Sequence, residues 1–315
     1  DQLPRHLGGS REEVLRLTPQ PTRVETLERM HDVVIVGAGP AGLYTALRLA
    51  GRGYDVVVLE EHQAVGQPVH CTGVLAREAF DEFALSPESV LNELTTARFI
   101  SPSGLDVFYR SGRAEAVVID REAFDLRLAE QAVGAGARIV CGARAEAIRA
   151  DRDGVSVALA RRPVVRARAC VLACGGRYGL HRQLDLGLPS LFLMTMQREF
   201  PATRAGDVEL HFGAGVAPKG FGWAVPVCRD GRPHVRIGVM CETDAPHYFD
   251  RMVDRVGRRW GVSPEAGCPP RQKVLPLTTV RRTFGDRLLV VGDAAGLVKP
   301  TTGGGVYYSL VSAAL

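Results

Sequence analysis

Lysine is scarce: Lys219, Lys273 and Lys299 are the only three in 315 residues, so the net charge of +4 is carried almost wholly by arginine. The arginines are interspersed with Asp and Glu, and no basic stripe studded with aromatics occurs. This reads as a mixed solvated surface and excludes a nucleic-acid patch. No run of 18 apolar residues is present and the first residues lack the short apolar core of a signal peptide, so neither a membrane span nor a secretory leader is expected. The seven cysteines, Cys71, Cys141, Cys170, Cys174, Cys228, Cys241 and Cys268, are odd in number, scattered and mostly inside apolar runs. They do not form a disulfide framework, and no Cys-x-x-Cys pair offers an iron–sulfur cluster. Cys170 and Cys174, read on one strand, stand about 13 Å apart, too far for a disulfide or a shared metal. The expectation is a reducing cytoplasm and no metal site.

What is present is a chain 46% hydrophobic, with a substantial core and room for about two domains. It is organised around Asp32-Val-Val-Ile-Val-Gly-Ala-Gly-Pro-Ala-Gly42, followed by a helical stretch to Gly53 and by Tyr54-Asp-Val-Val-Val-Leu-Glu60. The order is strand, tight turn, helix, strand. Gly37 and Gly39 allow the turn and let backbone approach a pyrophosphate, and Ala41 and Gly42 begin the helix, Gly42 letting it pack closely. Leu43, Ala46, Leu47 and Ala50 give that helix one apolar face. A dinucleotide is expected at its N-terminus, where unpaired N–H groups and the helix dipole favour phosphate oxygens. Glu60 ends the second strand, placed to accept both ribose hydroxyls.

Residues 1–29 are polar and without sustained period, and are expected to be a disordered extension, with Met30 as an alternative natural start. A loop pinned by Pro68 and Gly73 carries Cys71, whose small side chain reads equally as a buried hydrophobe or as chemistry. Ala97–Ile100 and Leu105–Tyr109 form a hairpin, and Val117–Ile119 leads through Asp120 and Arg121 to a helix over 122–134. Arg121 falls at the rim of the nucleotide domain, as a ligand contact or a surface ion-pair partner. Short strands at 138–141, 145–148 and 155–159 form a meander, and 169–176 returns to the nucleotide sheet. Between 178 and 278 four strands, 191–199, 208–212, 221–227 and 235–240, belong to a separate antiparallel sheet, followed by a helix over 246–260; a ligand pocket between the two parts is expected. Finally Asp286–Val291 is a strand ending in Gly292-Asp293, and Gly303-Gly-Gly305-Val306 starts a helix in which the chain stops uncapped, which reads as a missing C-terminal part.

The second glycine site, late in the chain, favours FAD over a nicotinamide as the bound dinucleotide. The chain resembles the p-hydroxybenzoate hydroxylase-like architecture, a Rossmann-type α/β FAD-binding domain with an inserted antiparallel-sheet substrate domain. The expected division is residues 30–177 and 279–315 for FAD and 178–278 for substrate. Within that superfamily it resembles the geranylgeranyl reductase family, through Pro68-Val-His-Cys71-Thr-Gly73, Ile119-Asp-Arg121-Glu-Ala-Phe-Asp125 and the run Gly292-Asp-Ala-Ala-Gly-Leu-Val-Lys-Pro-Thr-Thr-Gly-Gly-Gly305-Val-Tyr-Tyr. The resemblance implies Glu60 on the adenosine ribose, Cys71, Thr72 and Gly73 along the flavin, and Arg121 and the backbone near Ala145 on the nucleotide half. Asp293, Gly305 and Val306 fall on the ribityl and pyrimidine half. The family's Tyr-x-Trp-x-Phe-Pro and Gly-x-Gly signatures appear as Phe221-Gly-Trp223-Ala-Val225-Pro226 and Arg236-Ile-Gly238, three departures that bear on the substrate. Phe221, Trp223 and Pro226 are the expected substrate contacts, with core packing as the other role for Trp223.

The implied activity is FAD-dependent reduction of carbon–carbon double bonds in an isoprenoid, with Cys71 as proton donor, relay or shape element. NADPH or ferredoxin is the implied electron donor, since no second glycine fingerprint marks a nicotinamide domain. The implied partners are an isoprenoid lipid or small molecule and this redox donor, with a peripheral visit to the membrane. A flavin monooxygenase or halogenase, and an electron-transfer flavoprotein serving a quinone, are the alternatives.

Overall fold

The computed structural model describes residues 29–263, 265 and 268–315, and of the extension expected over residues 1–29 all but Arg29 lies outside them. In chain order the elements are β1 (Met30–Val36), α1 (Pro40–Ala50), β2 (Val56–Leu59), β3 (Val74–Ala76), α2 (Glu78–Glu82), β4 (Val90–Leu94), β5 (Thr96–Ile100), β6 (Asp106–Arg110), β7 (Ala116–Ile119) and α3 (Arg121–Gly134). They continue with β8 (Arg138–Val140), β9 (Ala145–Ala150), β10 (Val155–Leu159), β11 (Arg162–Leu172), α4 (Gly179–Gln183), β12 (Phe192–Pro201), β13 (Val208–Phe212), β14 (Phe221–Arg229) and β15 (Arg232–Cys241). The last are α5 (Ala245–Trp260), β16 (Arg271–Pro276), β17 (Phe284–Gly285), β18 (Leu288–Val290), a single tight helical turn over Gly292–Ala295, and α6 (Val306–Ala314).

The β-branched run of β1 sits at the centre of the first sheet, in the order β17-β18-β11-β1-β2-β8, with β10 and β9 continuing antiparallel from β11. Its neighbours are parallel, Val34 standing opposite Cys170 and Val36 opposite Leu59 and Leu172. Parallel strands covered on both faces need apolar residues at every position. Ile35 packs with Leu43 and Ala46 of α1 and with Phe124 and Leu128 of α3. Val34 and Val36 pack on the opposite side with Val57, Leu59, Val157 and Leu172.

The second sheet runs β16-β12-β15-β14-β13-β5-β6, and only the β13–β5 pair in it is parallel. One face is covered by α5, whose Phe249, Met252, Val256 and Trp260 meet Val235, Ile237 and Val239 of β15. Glu209 fixes that helix to β13, accepting from Trp260 Nε1 at 3.1 Å and from Arg259. The other face looks towards the first sheet. A small antiparallel sheet, β3-β7-β4, joins the two parts. The hairpin at 96–110 therefore belongs to the second sheet, although the sequence division had placed it on the nucleotide side. Strand β11 also ends at Leu172, earlier than read, leaving Cys174 on the loop beyond it. Among the described residues no helix is long and apolar enough to cross a membrane.

Candidate active site

A cavity of about 1330 Å³ lies between the two sheets and is lined by the β1–α1 turn, Glu60, the 66–76 loop, Arg121, Ala145, the 302–309 segment and the inner face of the second sheet. Ligand pockets of 300–1000 Å³ suit one drug-sized molecule, so this one has room for a dinucleotide and part of a second ligand.

The β1–α1 turn shows why its glycines are needed. Gly37 has φ of 109°, and a β-carbon there would sit 2.4 Å from the Ala173 carbonyl oxygen. A β-carbon at Gly42 would meet the Gly37 oxygen at 2.0 Å and the Ala173 β-carbon, just past β11, at 3.3 Å, so its absence lets the helix pack on its own turn and on the end of that strand. At Gly39 nothing lies within 4 Å, and the backbone faces the cavity. Pro40 opens α1 without a side-chain cap, which leaves N–H groups at the helix start unpaired. Glu60, buried at the end of β2, accepts from the Ala38 N–H at 2.8 Å and from the His62 N–H at 2.9 Å. Its carboxylate is thereby held at the cavity wall.

The Cys71-Thr72-Gly73 loop is fixed from three sides. Gly73 has φ of 76°, its carbonyl accepts from the Ile119 N–H at 2.8 Å, and its N–H donates to Cys71 Sγ at 3.3 Å. Thr72 Oγ1 donates to Gln197 Oε1 at 2.7 Å, and the Thr72 carbonyl accepts from Arg236. Arg121 lines the cavity behind the loop, its side chain largely shielded from solvent, and pairs with Asp125 at 2.9 Å. Burial opposes its charge, but Asp125 and the neighbouring Cys71 sulfur outweigh it, so the guanidinium is held cationic. Cys174 is also at the cavity, and burial pushes its thiol up to about 12.

On the far side Gly292 has φ of 63° and stands against Ala41, so the early and late glycine turns touch. Asp293 follows; its Oδ2 accepts from Lys273 Nζ at 3.1 Å and its carbonyl from Tyr178 at 2.9 Å. Gly305 leaves room for that carboxylate, since a β-carbon there would lie 2.6 Å from Asp293 Oδ1. Val306 then starts α6, again without a side-chain cap. Two uncapped helix N-termini thus flank the same cavity.

The inner face of the second sheet changes character across its width. Lys273, Thr195 and Gln197 are polar, whereas Phe221, Trp223, Val225, Leu210 and Val208 are aromatic or aliphatic, and all of them line the cavity. Trp223 is flat on the sheet because its β15 partner is Gly238, where a β-carbon would stand 2.3 Å from the indole Cζ2. Its buried Nε1 has no hydrogen-bond partner among the described residues. Pro226 is not among the lining residues; its carbonyl instead accepts from Asn92 Nδ2 at 3.2 Å. Sequence reasoning passed over Lys273, Gln197 and His70. Lys273 carried a signal in the rarity of lysine; the other two carried none. Burial, together with Lys273 and Arg271, holds the pKa of His70 below the usual histidine range, so it is neutral near pH 7.

The residues fit FAD. Two glycine turns in contact, an acidic residue at the end of β2 and two uncapped helix starts offer places for the ribose, pyrophosphate and flavin of one extended dinucleotide. This fold and this site define an FAD-dependent oxidoreductase of the p-hydroxybenzoate hydroxylase-like architecture. Residues 32–113 match the family described as DAO, FAD dependent oxidoreductase. The chain is 31% identical over 305 residues to digeranylgeranylglycerophospholipid reductase 2 of Methanopyrus kandleri, covering 89% of this chain and 74% of that one. It is 29% identical over 304 residues to the digeranylgeranylglycerophospholipid reductase of Methanocaldococcus jannaschii, covering 90% and 75%. A crystal structure of a geranylgeranyl bacteriochlorophyll reductase-like protein from Thermoplasma acidophilum superposes with a TM-score of 0.80 at 22% identity, over 90% of this chain and 76% of that one. The chain belongs to the digeranylgeranylglycerophospholipid reductase family.

Proposed function

We propose that this enzyme reduces carbon–carbon double bonds in the isoprenoid chains of a prenylated glycerophospholipid. The observation that carries this reading is the union, in one cavity, of the Cys71 loop with the apolar wall of Phe221, Trp223, Val225 and Leu210. Such a wall suits an unactivated alkene, which offers a pocket no hydrogen-bonding group, and it keeps water from the reacting carbons.

Glu60, Gly39 and the N-terminus of α1 would hold the nucleotide half of FAD, and Asp293, Gly305 and Val306 the ribityl and flavin half. When bound, FAD supplies the hydride equivalent to one alkene carbon. The second carbon takes a proton, and Cys71 would hold it at Sγ. The negative charge left on the sulfur is met by the Gly73 N–H and by Arg121, whose own charge is secured by Asp125. Electrons would come from a nicotinamide or ferredoxin donor.

The test is anaerobic. FAD-loaded protein is reduced with dithionite, and digeranylgeranylglycerophospholipid is added in detergent. Flavin reoxidation matched by a gain of H2 per double bond is expected. Flavin that stays reduced until oxygen enters overturns the reading and favours the monooxygenase alternative.

A further inference from the structure

The apolar face of the second sheet does not stop at the cavity. Directly paired residues on adjacent strands share a face of a sheet. The registers place Trp223 beside Leu210, Leu210 beside Phe99, and Phe99 beside Val107. One row along, Val208 stands beside Ala97 and Ala97 beside Tyr109. Trp223, Leu210 and Val208 line the cavity, yet Phe99, Val107 and Tyr109 are 39%, 55% and 49% exposed. One apolar strip therefore runs from the cavity wall to the outermost strand, three strand spacings or about 14 Å away.

The reverse face of the β5–β6 hairpin differs. There Arg98 donates to Asp106 at 2.6 Å, and Arg98 and Arg110 lie over the Phe108 ring. Its charges are satisfied in water, while among the described residues nothing covers the strip on the other side. Leu105, at the turn of the hairpin, extends the apolar edge at 66% exposure. A contiguous exposed apolar surface of this kind marks an interaction site.

We propose that this face of the β5–β6 hairpin docks on a lipid bilayer, and that an isoprenoid chain passes along Val107, Phe99 and Leu210 into the cavity. The proposal rests on the isoprenoid reading of the cavity given above. The chains of a glycerophospholipid lie in a bilayer. A chain leaving it avoids water only where apolar protein surface continues from bilayer to cavity, and the strip supplies that continuity. A second copy of this chain on the same edge, paired through the free backbone of β6, is the competing occupant.

The test is flotation of the FAD-loaded protein with phosphatidylcholine vesicles, at low salt and at about 0.5 M NaCl, where the Debye length falls to a few Å. Wild type is expected to float at both salt levels, because the contact is apolar. Leu105→Glu with Tyr109→Glu should lower partitioning about tenfold or more, while bound FAD and reduction of detergent-dispersed substrate stay unchanged. Tyr109→Trp gives a readout independent of charge insertion: its emission should shift to the blue with vesicles and be quenched by brominated acyl chains. Wild type that stays with the pellet, a double variant that floats as well as wild type, or a Tyr109→Trp probe blind to brominated lipid overturns the proposal while leaving the reductase activity intact. A wild-type dimer in sedimentation velocity that the double variant abolishes, without flotation, assigns the strip to a second copy and also overturns it. Loss of reduction by wild type in detergent is a failure of the isoprenoid reading itself, and removes the chain-passage step with it.

Discussion

The Arg236 guanidinium reaches from the second sheet to donate to the carbonyl of Thr72, in the loop that carries Cys71. The same Nη1 donates to the Ile119 carbonyl at 3.1 Å, and Nε donates to Glu199 at 2.8 Å. Glu199 is shared with Arg229, which also donates to Asp120 at 2.7 Å. A chain of alternating charges thus connects β12, β14 and β15 to the loop beneath the proposed flavin site.

Arg236→Gly removes the tie and leaves two carbonyls and part of Glu199 without donors in a buried setting. Breaking a buried pair by deleting one partner costs about 3–5 kcal/mol, and partial exposure of Glu199 reduces that to roughly 2–3 kcal/mol here. A lower Tm and weaker retention of FAD are expected. Arg236→Lys should fall between, because a single ammonium does not serve two carbonyls and a carboxylate at once. Thermal unfolding followed by flavin fluorescence checks this, and an unchanged Tm with unchanged FAD affinity removes the tie from the account.

Arg236 also shows where the sequence stopped being legible. The strand-turn-helix of 32–60 and the Gly292–Val306 return were readable because each depends on local rules: a β-branched run, glycine where backbone crowds, and a helix start. Strands β13 and β14 were readable from alternation and composition. Arg236 was visible only as a departure from a pattern, because its partners Thr72 and Ile119 lie more than 100 positions away. The hairpin at 96–110 was legible as a hairpin, but the sheet it joins was not, for the same reason. Its parallel pairing of Ala97 with Val208 is a long-range choice that neither periodicity nor turn chemistry encodes. Pro226 sits on the right strand, but its carbonyl goes to Asn92 and its ring is not at the cavity. Trp223 was legible as a motif residue, whereas its dependence on Gly238 across the ladder was not.

Gly238→Ala tests that dependence. The added methyl would lie 2.3 Å from the Trp223 indole and 2.8 Å from Gln197 Cβ, both inside van der Waals contact. The indole must tilt into the cavity, and Gln197 must release Thr72. Overpacking of this size costs about 1–3 kcal/mol. We expect FAD to stay bound while KM for the isoprenoid rises several-fold, since the wall has moved and the nucleotide turns have not. Equal loss of FAD and substrate binding would show that the indole supports the whole site.

The charge chain sets an acid limit. Burial alone would raise Asp120 and Glu199, but hydrogen bonds and charge from Arg229 and Arg236 outweigh it and hold both below the usual carboxylate range. With folded values depressed, the native state binds these protons less readily than the unfolded chain. Their contribution to stability is therefore full above the unfolded value of about 4, and it is lost as pH falls through the lower folded values. Tm should be flat from neutral pH to about 5 and decline below about 4. In Arg236→Gly the acid decline should be shallower than in wild type. A parallel decline in the two proteins would place the acid-sensitive group elsewhere.

Cys71 is the sharpest test of the chemistry. Its sulfur accepts from Gly73 and neighbours Arg121, while Cys228 is exposed on β14. A serine hydroxyl at position 71 keeps the size and the contact with Gly73 but is a far weaker acid. Cys71→Ser should therefore retain FAD and keep stability within about 1 kcal/mol of wild type, because no large apolar group is removed. Loss of a general acid costs about 100-fold or more in turnover. The drop should appear in kcat with KM unchanged, the mark of an interaction used only in the transition state. Cys228→Ser serves as the control and should be silent. If Cys71→Ser turns over at the wild-type rate, the proton comes from another group or from water, and the loop acts by shape alone. Neutral His70, half-buried at the same cavity, is then the next side chain to substitute.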